Sequence, residues 1–346
     1  MNTCTRLVIL VAMFVMVRGV PAAEPVELPV GDDKVFSLAF SADGKVIAIG
    51  TGGSTPTVKV VNVASQKQVT DFPCEGRGAA FTVAFSSDSK LLAVGDYDLN
   101  VKVRNLADGS EFASLPGDPD RKKYRQARRV IFTPDKKQLV VGYSTGEIFV
   151  WDLASKKATV QCNHGNEITA LAISPDGKLI ASGTDFGLRL WNIADGNPLV
   201  KLDKKSSGEH QVKAVEFLPD GKSVVTVDSP GFVRVFATTD GKEMESFKVP
   251  AVGRETTVNG VGVSKDGKTI VIPGLVAGLD PQRPKVLTEG VVVLDAKSVR
   301  PRSFLPTGSA RIFALSPDGK TAAISTGDRG DGVLLHDFSG AKELKP

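Results

Sequence analysis

Short apolar runs alternate with turn residues along most of the chain. Val35–Phe40 and Ile168–Ile173 alternate apolar with small or polar positions, and a β-branched run such as Lys178–Gly183 follows each of them after a turn. Alternation with a period of two is typical of a half-buried β-strand, and Asp-Gly between two such runs is typical of a hairpin. The pattern therefore predicts an all-β fold assembled from hairpins.

A five-residue anchor marks the first turn of a repeat, and it occurs seven times. Its fullest form, Ser-Pro-Asp-Gly-Lys, stands at 174–178 and 316–320. Successive anchor aspartates are 45, 47, 41, 44, 46 and 52 residues apart. A period of this size is that of one four-stranded propeller blade. The aspartates are Asp43, Asp88, Asp135, Asp176, Asp220, Asp266 and Asp318.

Each repeat supplies four strands, which we name a, b, c and d in chain order. The anchor lies between strands a and b, and a polar strand d ends the repeat. The sequence thus predicts a seven-bladed β-propeller of four-stranded antiparallel blades over residues 24–346. Closing the ring removes exposed sheet ends, and we expect Pro25–Val30 to close it beside strand c of the last blade, Val333–Phe338. The C-terminal segment Ala341–Pro346 competes for the same position.

The first 23 residues predict an export signal rather than part of the fold. Arg6 precedes an unbroken apolar run from Leu7 to Val17, and Pro21-Ala22-Ala23 precedes Glu24. Eleven apolar residues are too few to span a bilayer, which needs about 20. This arrangement is typical of a secretory signal peptide; an uncleaved anchor is the alternative. We expect a periplasmic or extracellular protein with no membrane span once the signal is removed.

Composition narrows the possible partners. With 41% hydrophobic and 24% charged residues among 346, the chain is not of the disordered class. A net charge of +4 is too small to indicate a nucleic-acid partner.

Cys74 and Cys162 belong to different repeats with a whole blade between them, so we expect two free thiols. No metal or cofactor motif occurs.

Repeats three and four carry a resemblance to a known family. Asn163-His164 opens repeat four, Asp185 lies six residues before Trp191-Asn192, and Trp151-Asp152 ends strand c of repeat three. These residues resemble the WD-repeat β-propeller family, and the anchors resemble those of its secreted bacterial type. The resemblance implies a buried, structural hydrogen-bonded chain in repeat four. Its members would be His164, Asp185, Ser182 or Thr184, and Trp191.

The longest connections fall on one face of the predicted ring, the face formed by the d–a and b–c loops. They run from Pro116 to Ala127 and from Leu275 to Thr288. Insertions confined to one face usually mark the binding face. Basic residues and one aromatic on or beside these loops are candidates for contact with an anionic protein surface, glycan or lipid headgroup. They are Arg121, Lys122, Lys123, Tyr124, Arg125, Arg128, Lys204, Lys205 and Arg283.

The sequence leaves two alternative functions open. The family resemblance implies a non-catalytic scaffold of the cell envelope or extracellular space that binds a protein partner, still unidentified, and needs no cofactor. The alternative is a secreted enzyme or sugar-binding protein of lactonase-like type that uses the central channel. Sites of that kind gather Glu, His or Arg at the channel-facing ends of strand a. Here those positions read mostly Val, Phe, Ala and Ile, so we expect an apolar channel and no enzyme.

Overall fold

The regular structure is entirely β. The computed structural model describes residues 25–31, 33–74, 78–96, 101–116, 126–203, 211–229, 231–249, 260–277, 287–307, 312–326 and 332–338. Every regular element within these ranges is a strand. In chain order they are β1 (Val26–Leu28), β2 (Lys34–Phe40), β3 (Val46–Gly53), β4 (Thr57–Asn62), β5 (Gln68–Pro73), β6 (Gly78–Phe85), β7 (Leu91–Asp96), β8 (Val101–Asn105), β9 (Glu111–Leu115), β10 (Ala127–Phe132), β11 (Gln138–Tyr143), β12 (Glu147–Asp152), β13 (Lys157–Asn163), β14 (Ala170–Ile173), β15 (Leu179–Thr184), β16 (Gly187–Asn192), β17 (Pro198–Asp203), β18 (Gln211–Phe217), β19 (Ser223–Ser229), β20 (Phe232–Ala237), β21 (Glu243–Lys248), β22 (Gly262–Val263), β23 (Thr269–Ala277), β24 (Leu287–Asp295), β25 (Pro301–Pro306), β26 (Phe313–Leu315), β27 (Thr321–Thr326) and β28 (Gly332–Asp337).

These strands form antiparallel sheets in which sequence neighbours pair. Four sheets have the simple orders β10–β13, β14–β17, β18–β21 and β22–β25. The first two repeats, β2–β5 and β6–β9, are joined into one eight-stranded sheet. The junction is a short backbone pairing of β3 with β6, in which Gly52 opposes Ala79 and Gly53 opposes Gly78. The repeat predicted from each anchor thus corresponds to four strands in the structure.

The last sheet contains both ends of the described chain. Its order is β1-β28-β27-β26, and β1 pairs antiparallel with β28 so that Val26 opposes Leu335 and Leu28 opposes Val333. This is the closing pair that the sequence predicts. The competing segment 341–346 lies outside the described residues. Leu28 and Val30 are buried with Val35 and Val333 in one core cluster, so apolar packing supports the backbone pairing.

The first strands of the repeats touch one another in a closed circuit. Strand β2 contacts β6, and the contacts continue through β10, β14, β18 and β22 to β26, which contacts β2 again. Core clusters lie between consecutive sheets; one of them joins Val140 and Trp191 from neighbouring sheets. Both faces of each sheet are thereby covered, which explains why the b strands are buried at almost every position.

The anchor residues build the turn between strands a and b. In repeat four, the Ser174 hydroxyl donates to Asp176 Oδ1 over 2.6 Å, and the Lys178 amide donates to the same oxygen over 3.1 Å. The amide of Leu179 in turn donates to Ser174 Oγ over 2.9 Å. Gly177 takes a φ of +73°, the left-handed conformation that favours glycine. Hydrogen bonds from the serine hydroxyl and the lysine amide lower the pKa of the Asp176 carboxyl.

A glycine in strand b lets the next sheet approach closely in four consecutive repeats. Its α-carbon has no room for a methyl group: a Cβ on Gly183 would meet Val212 Cγ1 at 2.5 Å and Ala170 Cβ at 3.2 Å. Gly95 faces Ala127 of the following sheet in the same way, at 2.9 Å. The remaining two glycines are Gly50 and Gly142. Contact between sheets therefore depends on the absence of a side chain here.

We expect Gly183→Ala to lower the free energy of unfolding by about 1–3 kcal/mol, the usual cost of overpacking a filled core. Val212→Ala should also destabilise, because it leaves a cavity. The double variant should lose less than the sum of the two, since alanine at 212 removes the Cγ1 atom that lies nearest to the new methyl. Urea unfolding of the four proteins measures the coupling. Strict additivity would show that the two sheets do not compete for this space.

Candidate functional site

A cavity of about 570 Å³ lies inside the circuit of first strands. Six first strands, or the residues directly before them, contribute to its wall. Phe36, Phe81 and Phe313 form an aromatic part of the lining, and the rings of Phe36 and Phe81 meet edge to face with centroids 5.4 Å apart. We call this space the central cavity.

Charged side chains also line the central cavity. The expectation of an apolar channel is therefore wrong: strand β10, the start of β14 and strand β18 all bring ionisable groups to the wall. The three sheets involved are consecutive, so the charges lie on one side of the circuit and the aromatic residues of β2, β6 and β26 on the other. The charged lining residues are Arg128, Arg129, Glu167, Lys213 and Glu216.

Backbone bulges explain why the strand pattern did not reveal these charges. The register of strand a against strand b shifts by one residue at Phe36, Phe81, Arg128 and Lys213, so each is an extra residue in its strand. A bulge re-aims side chains relative to a regular strand. All four residues line the central cavity. A prediction that alternates the two faces of strand a without allowing for the bulge places the residues before the bulge on the wrong face of the strand.

Two ion pairs lie at the edge of the central cavity. Arg128 Nε is 2.6 Å from Glu167 Oε1, and its guanidinium also lies over the Phe81 ring at 5.5 Å. Lys213 Nζ is 3.0 Å from Asp185 Oδ1. Both acidic side chains keep about half of their surface exposed, 49% for Glu167 and 47% for Asp185. These pairs are therefore open to solvent on one side and neutralise two of the cavity's cations.

Arg129 and Glu216 belong to neither ion pair. Both side chains are partly buried on the wall of the cavity. Burial, followed by repulsion from Arg128, lowers the pKa of the Arg129 guanidinium. Burial raises the pKa of the Glu216 carboxyl to about 7. The Arg129 group still donates from Nη1 to the Arg128 carbonyl over 2.8 Å.

The basic residues predicted for partner binding are mostly outside the described residues. Arg121, Lys122, Lys123, Tyr124, Arg125, Lys204, Lys205 and Arg283 all fall there, and they stay predictions. Arg128 is described, and the structure places it within strand β10, on the wall of the central cavity, rather than on the preceding loop.

Repeat four contains a buried hydrogen-bonded chain of three side chains. Ser182 Oγ is 2.9 Å from His164 Nδ1 and accepts from Trp191 Nε1 over 2.8 Å. The His164 and Trp191 rings pack edge to face, with centroids 6.1 Å apart. Thr184, the alternative to Ser182, instead accepts the Phe186 amide. The expectation that Asp185 belongs to this buried hydrogen-bonded chain is wrong. Asp185 lies half-exposed and pairs with Lys213 of the next sheet.

Repeat three keeps the tryptophan but not its partner. Trp151 is buried, and its Nε1 has no hydrogen-bond partner among the described residues. Val141 stands where repeat four has Ser182, as the strand registers show, so no hydroxyl is available at that place. Asp152 accepts both the amide and the hydroxyl of Ser155 over 2.7 Å, which shapes the turn after strand c. Those two bonds lower the pKa of the Asp152 carboxyl.

Other candidate chemistry is sparse in the part of the chain that the structure describes. Cys74 and Cys162 are free, as predicted, and burial raises the pKa of each thiol to about 11. No group of three His, Cys, Asp or Glu residues within the described ranges is placed to hold a metal ion. None of the described segments forms a helix with the length and apolar character to cross a bilayer.

The fold and these residues together define the class of protein. Antiparallel four-stranded units surround a central cavity, and strand c ends in Trp-Asp or Trp-Asn in repeats three and four, so the protein is a WD-repeat β-propeller. Residues 48–257 match the β-propeller family described as Nucleolar protein 10-like, N-terminal domain. The match covers more than half of the chain, and the chain belongs to that family.

Individual relatives are distant and much longer than this chain. Telomerase protein component 1 of Rattus norvegicus is 23% identical over 91% of this chain and 11% of its own length. Apoptotic protease-activating factor 1 of Homo sapiens is 25% identical over 53% of the chain and 15% of its own length. Periodic tryptophan protein 2 homolog of Caenorhabditis elegans is 28% identical over 37% and 14%. The chain thus spans less than a sixth of these relatives.

The hydrogen-bonded chain of repeat four gives a stability prediction. Ser182→Ala should lower the free energy of unfolding by about 1–3 kcal/mol, because it leaves the buried Trp191 Nε1 without an acceptor. Ser303→Ala is a control, since Ser303 is also buried, at 5% exposure against 0% for Ser182, and its hydroxyl has no hydrogen bond within the described residues. Denaturant unfolding of both variants measures the difference. Equal losses of unfolding free energy in the two variants would argue against a contribution from the hydrogen-bonded chain of repeat four.

Proposed function

We propose that this protein is a non-catalytic interaction module that binds a protein partner through the face carrying the d–a and b–c connections. We call this the loop face. Membership of a β-propeller family supports the proposal, as does the likeness to Telomerase protein component 1, which is by its name a component of a larger assembly. The partner-binding residues proposed on this face are the basic loop residues predicted above.

The observation that carries the choice of face is the length of the connections. Every a–b connection has five residues, from Ser41–Lys45 to Ser316–Lys320, and the c–d connections have four or five. On the loop face, the d–a connections reach eleven residues at 116–126 and thirteen at 249–261, and one b–c connection has nine at 278–286. Long loops on a rigid scaffold are the usual carriers of binding function.

We also propose that the ring has seven blades. The closed circuit of seven first strands supports this count, as does the pairing of β1 with β28, which completes a four-stranded last sheet. The eight-stranded sheet then consists of two blades joined at the glycine-rich end of β3. A closed ring presents its loops on a fixed frame, which favours recognition of one partner surface.

Export is a further part of the proposal. The basic and apolar pattern of residues 1–23 supports a cleaved signal and a periplasmic or extracellular location, in which case the partner belongs to the envelope or the surrounding medium. The alternative function, a channel-based enzyme or sugar-binding protein, gains one favourable observation from the charged wall of the central cavity.

Two variants, each with four basic residues replaced by alanine, test whether the partner binds the loop face. We expect replacement of Arg121, Lys122, Lys123 and Arg125 by alanine to abolish capture of the bound partner from native extract, measured by affinity purification and mass spectrometry. The matched control replaces four lysines of the a–b turns on the opposite face, and it should leave capture intact. The control residues are Lys45, Lys137, Lys178 and Lys268.

The reverse result would contradict the assignment of the face. If the four turn lysines were required and the four loop residues dispensable, the partner would bind the a–b face instead. Circular dichroism and thermal melting of both variants check that the fold is retained in each case.

Export has its own measurement. We expect the protein recovered from its native source to begin at Glu24, because cleavage follows Ala23, and to fractionate with envelope or secreted material. Amino-terminal sequencing of the purified protein shows this directly. A protein that retains Met1 and remains in the cytosolic fraction would overturn the proposal of export while leaving the loop face untouched.

A further inference from the structure

The positive charge of the central cavity is not fully balanced. Glu167 and Asp185 neutralise Arg128 and Lys213 through the two ion pairs. Arg129 has no ion pair with any carboxylate in the described part of the chain, and its one protein acceptor is the Arg128 carbonyl. A guanidinium carries five N–H donors in a planar fork. The half-buried Arg129 thus keeps several donors for an acceptor that enters the cavity.

The remaining acidic group cancels this charge only as the pH rises through neutrality. Glu216 is the other carboxyl on the wall, and burial raises its pKa to about 7. It is therefore largely protonated below neutral pH, and it can then donate a hydrogen bond as a neutral acid. Arg129 is half-buried and has no carboxylate paired with it directly, so an anion bound beside it would be favoured over partial loss of water around the charge.

Shape and polarity complete the case for a small molecule. A volume of about 570 Å³ falls within the range of roughly 300–1,000 Å³ that is usual for small-ligand sites. The aromatic pair Phe36–Phe81 and Phe313 offer an apolar surface within the same space. Such sites are commonly lined by apolar and aromatic side chains with a few polar groups that fix the orientation of the ligand.

We propose that the central cavity binds a small organic anion. The Arg129 guanidinium holds its carboxylate or phosphate group through paired hydrogen bonds, the geometry that this fork favours. The apolar part of the ligand lies against Phe36, Phe81 and Phe313. This site is separate from the partner contacts of the loop face, and neither proposal depends on the other.

Titration calorimetry on the full chain tests the site with three probes of similar size. Benzoate and phenyl phosphate carry the two anionic groups on the same ring, and benzyl alcohol is the uncharged comparison. We expect at least one anion to bind about tenfold or more tightly than benzyl alcohol, and the tighter anion identifies the preferred group. Absence of anion binding at millimolar concentration, or equal binding of benzyl alcohol, would overturn the proposal.

Variants assign the binding to Arg129. Arg129→Gln should weaken binding of the tighter anion at least about tenfold, because the charge and the fork are both removed. Arg302→Gln is the matched control, since Arg302 is half-exposed and pairs with Asp295 in β24, remote from the cavity lining. Equal affinity in wild type and Arg129→Gln would exclude Arg129 as the anion site.

The pH dependence gives a second test that does not require Arg129→Gln to fold. As pH rises from 6 to 8, Glu216 ionises and adds a negative charge to the cavity, so benzoate affinity should fall several-fold. The other charged groups on the wall, Arg128, Arg129, Glu167 and Lys213, are unchanged in Glu216→Gln, which should show no such fall. An equal fall in benzoate affinity in wild type and Glu216→Gln would refute the proposal that the anion binds beside Glu216 in the central cavity.

Discussion

Contact between neighbouring sheets is the constraint on which the whole molecule depends. Each sheet is a narrow, twisted ribbon with two faces to cover, and it covers them only by packing against the sheets on either side. The strand b glycines, such as Gly95 and Gly183, allow that packing because their missing side chains admit the residues of the next first strand. The same approach brings the first strands together into a circuit and leaves the central cavity inside it.

Much of this architecture was predictable from the chain because its determinants are local. The anchor at Ser174–Lys178 closes a hairpin through hydrogen bonds among its own five residues, so the turn and both flanking strands follow from the sequence. The closing strand was predictable for a similar reason: residues 25–30 have the position and pattern of a missing fourth strand. The joining of β3 to β6 was not predicted, because it depends on how closely two separate sheets meet at Gly53.

The candidate site was harder to predict because it depends on relations between repeats. A bulge changes which residue of strand a points inward, and Arg128 and Lys213 occupy such bulges. Their presence at channel positions could have been inferred from a comparison of equivalent positions in different repeats, where Phe36 and Phe81 stand. The exclusion of Asp185 from the buried chain has a similar origin, because its partner Lys213 belongs to the following sheet.

The pairing of β1 with β28 has a consequence for the connectivity of the chain. The chain runs from β1 directly into β2 of the first repeat, whereas β1 pairs with β28 of the last sheet, so backbone hydrogen bonds tie the first repeat to the last. Loss of this pairing would open the circuit of sheets. The two ends of the described chain therefore depend on each other for folding.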